Sequence, residues 1–197
     1  MRRFRSKTFL ALLLTLGIGA ALLGWWNSRR VGRVLDSYRG VSVYDNGFLF
    51  FRSYGRNYGS NGYYFGQKWQ CVEFVKRFYF EAKNHKMPDG MGHAKSFFED
   101  GLADGGLNSR RGLFQFRNGS PTKPSPDDLM VFTNTTYGHV AIVTTVGDDS
   151  IEVIQQNILS GSRQRFSLAA TNGHYYVSGS RQPAGWLRLG SKGQTTK

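Results

Sequence analysis

The chain has 197 residues, with 26 Lys and Arg against 13 Asp and Glu, and a single cysteine. One cysteine excludes an internal disulfide and a multi-cysteine zinc cage, leaving an inert buried thiol, an intermolecular bond or a nucleophile. The net charge of +13 looks like a nucleic-acid signature until the chain is divided: residues 1–33 hold seven basic residues and no acid, leaving 19 basic and 13 acidic over 34–197. No nucleic-acid partner is expected from that mild excess.

Arg2, Arg3, Arg5 and Lys7 precede an uncharged run from Thr8 to Ser28, which closes with Trp25 and Trp26 and is followed by Arg29, Arg30 and Arg33. The apolar heart, residues 9–26, reaches the lower length limit for crossing a bilayer, and paired tryptophans suit the membrane–water interface. A cleavable signal has a shorter apolar region and a small-residue exit; Gly19-Ala20-Ala21 could serve, but Leu22 and Leu23 continue beyond it. Residues 1–33 therefore read as a signal anchor, with secretion as the outcome if it is cut. A short basic N-terminus stays cytoplasmic, which puts residues 34–197 outside the cytoplasm, in a periplasm or at the cell surface.

Val31–Tyr38 reads as a linker, and Val41–Tyr44 and Phe48–Phe51 as short strands. The Gly-, Asn- and Tyr-rich Arg52–Tyr64 reads as a long surface loop. From Gln70 to Ala82 the apolar residues Val72, Val75, Phe78 and Ala82 recur at helical spacing, with Glu73, Lys76 and Lys83 between them on a polar face. A short helix is expected at Ala94–Asp100 and irregular chain at 101–128. Leu129–Phe132, His139–Val146, Ser150–Gln155, Arg163–Leu168 and Trp186–Leu189 have strand character, with a turn at Gly147–Ser150. Helices followed by an antiparallel sheet make residues 34–190 one α+β domain. A polar, disordered tail is expected over 191–197.

Cys71 falls at the start of the helical segment. There the unpaired N–H groups lower a thiol pKa and can hold an oxyanion. Of four histidines, His85 is too far along the same helix, His93 lies in a loop among Gly and Met, and His174 opens Tyr175-Tyr176-Val177. His139 opens a strand that reads as fully buried, from which it can project toward a packed helix. Gln155 and Asn157, at the end of the next strand, can accept the second imidazole N–H and fix the tautomer; alternation puts them on one face and Gln156 on the other.

Phe51-Arg52-Ser53-Tyr54, Lys68-Trp69-Gln70-Cys71-Val72-Glu73-Phe74, Asn118-Gly119-Ser120-Pro121, Gly138-His139-Val140-Ala141-Ile142 and Gln156-Asn157 occur in that order. Together they resemble the CHAP family of cysteine, histidine-dependent amidohydrolases/peptidases, over about residues 41–189. Their nearest flavour is the amidase domain of glutathionylspermidine synthetase/amidase. The resemblance implies a papain-like fold, no cofactor or metal, Cys71 as nucleophile and His139 as general base. One departure matters: the family carries Glu where this chain has Gln155, and an amide can orient an imidazolium but not neutralise it. A weakened thiolate–imidazolium pair is expected, with Gln155 or Asn157 as the orienting group. The implied substrate is a peptide-like amide, of peptidoglycan or of a glutathionylspermidine-like glycyl-polyamine. A catalytically weak or inactive CHAP-like binding module is the alternative.

Overall fold

The computed structural model describes residues 2–49 and 51–190. The expected polar tail lies outside them. Helix α1 (Arg2–Arg30) leads into a hairpin, β1 (Val34–Tyr38) and β2 (Val41–Tyr44), and a second hairpin, β3 (Arg56–Tyr58) and β4 (Tyr64–Gln67). Helix α2 (Cys71–Lys83) and a 3-10 turn (Ala94–Phe97) follow. Then come β5 (Gly106–Asn108), β6 (Leu113–Arg117), β7 (Leu129–Phe132), β8 (His139–Val146), β9 (Ser150–Ile154), β10 (Arg163–Thr171), β11 (His174–Ser178) and β12 (Gly185–Arg188).

Strands β5 to β12 form one eight-stranded antiparallel sheet, ordered β11-β10-β9-β8-β7-β12-β6-β5. The class is α+β, as the sequence suggests. Alternation along the central strands divides two cores. Leu129, Val131, Val140 and Ile142 point into a cluster with Phe74, Val75 and Phe78 of α2. Met130, Phe132, Ala141 and Val143 point the other way, into a cluster closed by Phe166, Val177 and Trp186. A sheet covered on both faces explains why Val140 to Val143 carry no polar alternation.

Several expectations are overturned. Val34–Tyr38 is a strand and not a linker, because it pairs with β2 and Arg163 holds its Asp36 at 2.8 Å. The described residues of Phe48–Phe51 form no strand; Phe48 instead packs on Trp26, ring centroids 4.8 Å apart. The Tyr-rich loop closes as the β3–β4 hairpin, residues 101–128 contain β5 and β6, and β11 was not expected at all. The helix at Ala94 stops at Phe97, as a 3-10 turn.

The largest correction concerns α2. Glu73, Lys76 and Arg77 are buried, so the expected polar face is not exposed. The β3–β4 hairpin packs across it: a Cβ on Gly66, at φ +148°, would meet Cα of Glu73 at 3.0 Å. Lys76 donates to the carbonyls of Tyr64 and Gly90. Burial lowers its pKa to about 8.

The final turn of α1 belongs to the packing of the domain. Asn27 is buried, donating to the Tyr54 hydroxyl at 3.2 Å and accepting from the Phe48 N–H at 2.7 Å. Arg30 meets the buried Asp45 at 2.9 Å. The apolar stretch Phe9–Arg30 is long enough to cross a membrane, and none of it in the span's most apolar window is covered by the rest of the chain.

Candidate active site at the start of α2

Cys71 is the first residue of α2 and Gln70 its N-cap, in extended conformation. The cap makes no side-chain hydrogen bond to the helix; neighbouring chain fixes this end instead. Gln156 donates to the Gln70 carbonyl at 3.0 Å and to Glu73 at 2.7 Å, while its own oxygen accepts from the Tyr44 N–H at 2.8 Å. Glu73 also receives Asn57 at 2.8 Å and Arg77 at 2.6 Å. A buried carboxylate in the first turn complements the helix dipole, and three donor side chains offset the cost of its burial. Gln70 itself donates to the Arg52 carbonyl at 3.0 Å, which gives the Phe51–Tyr54 segment a direct part in the site.

His139 enters β8 immediately after Gly138, whose φ is +72°. A Cβ there would stand 2.5 Å from the Lys95 nitrogen and 2.7 Å from the Phe132 carbonyl oxygen. Glycine is thus required twice over, by conformation and by space. The imidazole is buried, with the Phe132 ring 6.1 Å away. Its Nε2 lies 3.1 Å from Oε1 of the fully buried Gln155.

The Gln155 amide is oriented by its other end. Nε2 of Gln155 donates to the Gly161 carbonyl at 3.3 Å and to Oε1 of Gln164 at 3.1 Å, so its oxygen faces the imidazole. An amide oxygen only accepts, hence His139 carries its proton on Nε2 and keeps Nδ1 as the basic nitrogen.

Asn157 has a different place. Its φ of 61° ends the strand alternation, and its side chain accepts from Asn46 at 2.9 Å and donates to Gln70. Gln155 makes the contact to His139, while Asn157 helps fix the residue before Cys71. The expected shared face of Gln155 and Asn157 does not form, because the chain turns between them.

The thiol of Cys71 sits against the N–H of Val140, the residue after His139. Burial pushes the thiol pKa up, and the N–H groups of Val140, Val72 and Cys71, together with the Arg181 charge, pull against it without prevailing. For His139, burial dominates and the Arg181 charge adds to it, with the Gln155 hydrogen bond opposing; its pKa falls to about 3. Both groups are therefore neutral at pH 7. The N–H groups of the helix terminus act in the expected direction, but desolvation outweighs them.

A cleft of about 470 Å³ opens beside this group, lined by Gly138, His139, Asn157, Leu159, Gln164 and Arg181 among others. Arg181 was missed in the sequence because it lies in an irregular connection with no motif around it. The other histidines are elsewhere: His85 bonds the Arg111 carbonyl at 2.8 Å, His93 packs on Tyr137, and His174 opens β11 at the far edge of the sheet.

A cysteine opening a buried helix, an imidazole opening the strand beneath it and an amide fixing that imidazole define a site of the thiol–imidazole class. Residues 62–157 match the model of the CHAP domain, a span that contains Cys71, His139, Gln155 and Asn157. The chain carries a CHAP domain, and this points to hydrolysis of an amidase or peptidase type. It is 32% identical over 120 residues to trypanothione synthetase of Crithidia fasciculata, covering 59% of this chain and 18% of that protein. It is 34% identical over 103 residues to the bifunctional glutathionylspermidine synthetase/amidase of Escherichia coli (strain K12), covering 49% of this chain and 16% of that protein. The similarity thus spans less than a fifth of either relative.

Proposed function

We propose that this protein is a membrane-anchored thiol amidase in which Cys71 attacks an amide carbonyl and His139 serves first as base and then as acid. The observation that carries the reading is the hydrogen bond of His139 Nε2–H to Gln155, which leaves Nδ1 free to take the thiol proton. Attack forms the Sγ–C bond and a tetrahedral oxyanion, for which the N–H groups at the start of α2 are the available donors. Collapse expels the amine, which takes its proton from the imidazolium. Water, deprotonated by the same imidazole, then releases the acid from the Cys71 thioester. Gln155 holds the tautomer, and Asn157 holds Gln70 beside the nucleophile. The domain follows the papain-like pattern.

Because thiol and imidazole are both neutral at rest, the charge pair forms as the substrate is attacked and not before it. The substrate is a peptide-like amide, either of peptidoglycan or of a glutathionylspermidine-like glycyl-polyamine. The first suits a domain held outside the cytoplasm by an anchor over residues 9–26; the second follows from the similarity to the glutathionylspermidine synthetase/amidase of Escherichia coli. Residues 1–33 act as the anchor, 34–190 as the amidase domain and 191–197 as a disordered tail.

A second reading, a CHAP-like binding module without turnover, is favoured by one observation: an uncharged amide at Gln155 cannot neutralise an imidazolium. Incubating purified muropeptides and glutathionylspermidine with wild type and Cys71→Ala, followed by mass spectrometry, separates the two. Wild type cleaves one of them and Cys71→Ala cleaves neither. Cleavage by the variant would sink the mechanism, and cleavage of neither by wild type would favour the binding module.

A further inference from the structure

Arg181 lies in the connection between β11 and β12, outside the stretch that matches the CHAP domain. Its Nη2 approaches Oε1 of Gln155 at 3.4 Å and Oε1 of Gln164 at 3.3 Å. The guanidinium carbon stands 5.0 Å from the centre of the Phe132 ring. Both polar partners are neutral amide oxygens, so neither compensates its charge.

Several other arginines of the domain carry a counter-charge, whereas the buried Arg111 has its Nη donors taken up by the carbonyls of Asp89, Met91 and Ser96 and faces no cleft. Arg30, Arg77, Arg110, Arg163 and Arg188 each meet a carboxylate within 3.0 Å. No Asp or Glu lines the cleft that Arg181 faces. A half-buried guanidinium has lost part of its hydration, and without a counter-charge it stays an unfinished site. It offers a planar fork of donors that fits a carboxylate, and the aromatic face beside it limits its movement. It also stands close enough to Cys71 to act on the thiol electrostatically.

We propose that Arg181 binds a carboxylate of the substrate, and that the scissile amide is flanked by a residue bearing that free carboxylate. This rests on the reading of Cys71 as the nucleophile and favours the substrate whose carboxylate is next to the scissile bond, since the γ-glutamyl carboxylate of a glutathionyl-polyamine lies two residues away from it. A cell-wall-type peptide with a carboxylate next to the scissile bond completes the ion pair. A glycyl-polyamine brings ammonium groups toward a guanidinium that repels them.

Two alkylating reagents test it on the full-length protein in detergent. The Cys71 thiolate attacks the methylene carbon of either iodoacetate or iodoacetamide and expels the same iodide, but only iodoacetate carries a carboxylate. Changes in thiol pKa cancel in the ratio of their rates at Cys71, so the ratio reads carboxylate steering alone. Arg181→Gln is expected to lower the iodoacetate-to-iodoacetamide ratio by about tenfold or more, the scale of one charge-assisted hydrogen bond. Arg181→Lys, which keeps the charge and loses the fork, falls between and carries the test if the glutamine variant does not fold. An unchanged ratio in both variants overturns the carboxylate site while leaving the nucleophile in place. Failure of either reagent to modify Cys71 in folded wild type at pH 8.5 overturns the nucleophile itself, and the proposal with it.

Discussion

Oε1 of Gln155 accepts from Nε2 of His139 at 3.1 Å and is also within 3.4 Å of Nη2 of Arg181. One neutral oxygen therefore stands between an imidazole and a permanent cation. Burial, and after it the charge of Arg181, opposes protonation of His139, and the amide dipole supports it too weakly to win. A carboxylate at position 155 would reverse that order, holding an imidazolium and pairing with Arg181 together. Gln155→Glu is accordingly expected to raise the His139 pKa and to let Cys71 react with iodoacetamide at lower pH than in wild type. The pH dependence of alkylation measures this; identical profiles would show that position 155 does not set the charge state. Gln155→Leu removes the acceptor, releases the tautomer and is expected to reduce amide cleavage by about a hundredfold, within the range of a lost acid–base contribution.

The depressed pKa of His139 also makes stability depend on pH. The unfolded imidazole titrates near its ordinary 6.5 and the folded one at about 3. Between these values the unfolded chain binds the extra proton, so stability is full above pH 6.5 and falls as the pH drops toward 3. Asp36 and Asp127, whose carboxyls are held below the usual range, lose their contribution only at lower pH. Asp128, pushed up by burial, acts with the opposite sign. Urea denaturation at pH 7 and pH 4.5 is expected to show a loss of about 2 kcal/mol that His139→Gln abolishes. An equal loss in the variant would assign the effect to other groups.

The central sheet strands β7 and β8 were legible because burial on both faces leaves continuous apolar runs, as in Val140–Val143. Helix α2 was legible from its period, and the positions of Cys71 and His139 followed from where each element begins. What stayed hidden depends on contacts distant in sequence. Glu73 and Lys76 read as a solvated face because nothing local says that the β3–β4 hairpin lies across them. Between Gln155 and Asn157 the sequence could not choose, since the choice is made by a positive φ at Asn157 and by Gly161 and Gln164 holding the Gln155 amide. Arg181 had no signal at all, because its meaning comes only from the cleft it faces.

The junction of α1 with the domain gives a prediction about where the chain can be cut. Loss of residues 1–21 keeps Asn27, Arg30 and Arg33. Loss of residues 1–33 removes both hydrogen bonds of Asn27 and leaves the buried Asp45 without Arg30 at 2.9 Å and Arg33 at 3.8 Å. The shorter fragment is expected to be less stable by about 2–3 kcal/mol, the scale of a buried carboxylate losing its cations. Thermal melts of the two fragments in the same buffer decide it. Equal midpoints would mean that α1 rests on the domain without supporting it.

Gly138 offers a test of how His139 is aimed. Alanine there must adopt φ +72° and bring its Cβ to 2.5 Å from the Lys95 nitrogen and 2.7 Å from the Phe132 oxygen. Both are backbone atoms, which cannot rotate aside as a side chain can. The peptide ahead of His139 must move, and with it the imidazole relative to Gln155. Gly138→Ala is expected to cost about 2 kcal/mol or more in stability and to lower turnover further than stability alone explains. Measuring turnover at a temperature where the variant is fully folded separates the two effects. Full turnover under that condition would show that the strand entry does not aim the imidazole, and that the hydrogen bond to Gln155 does so by itself.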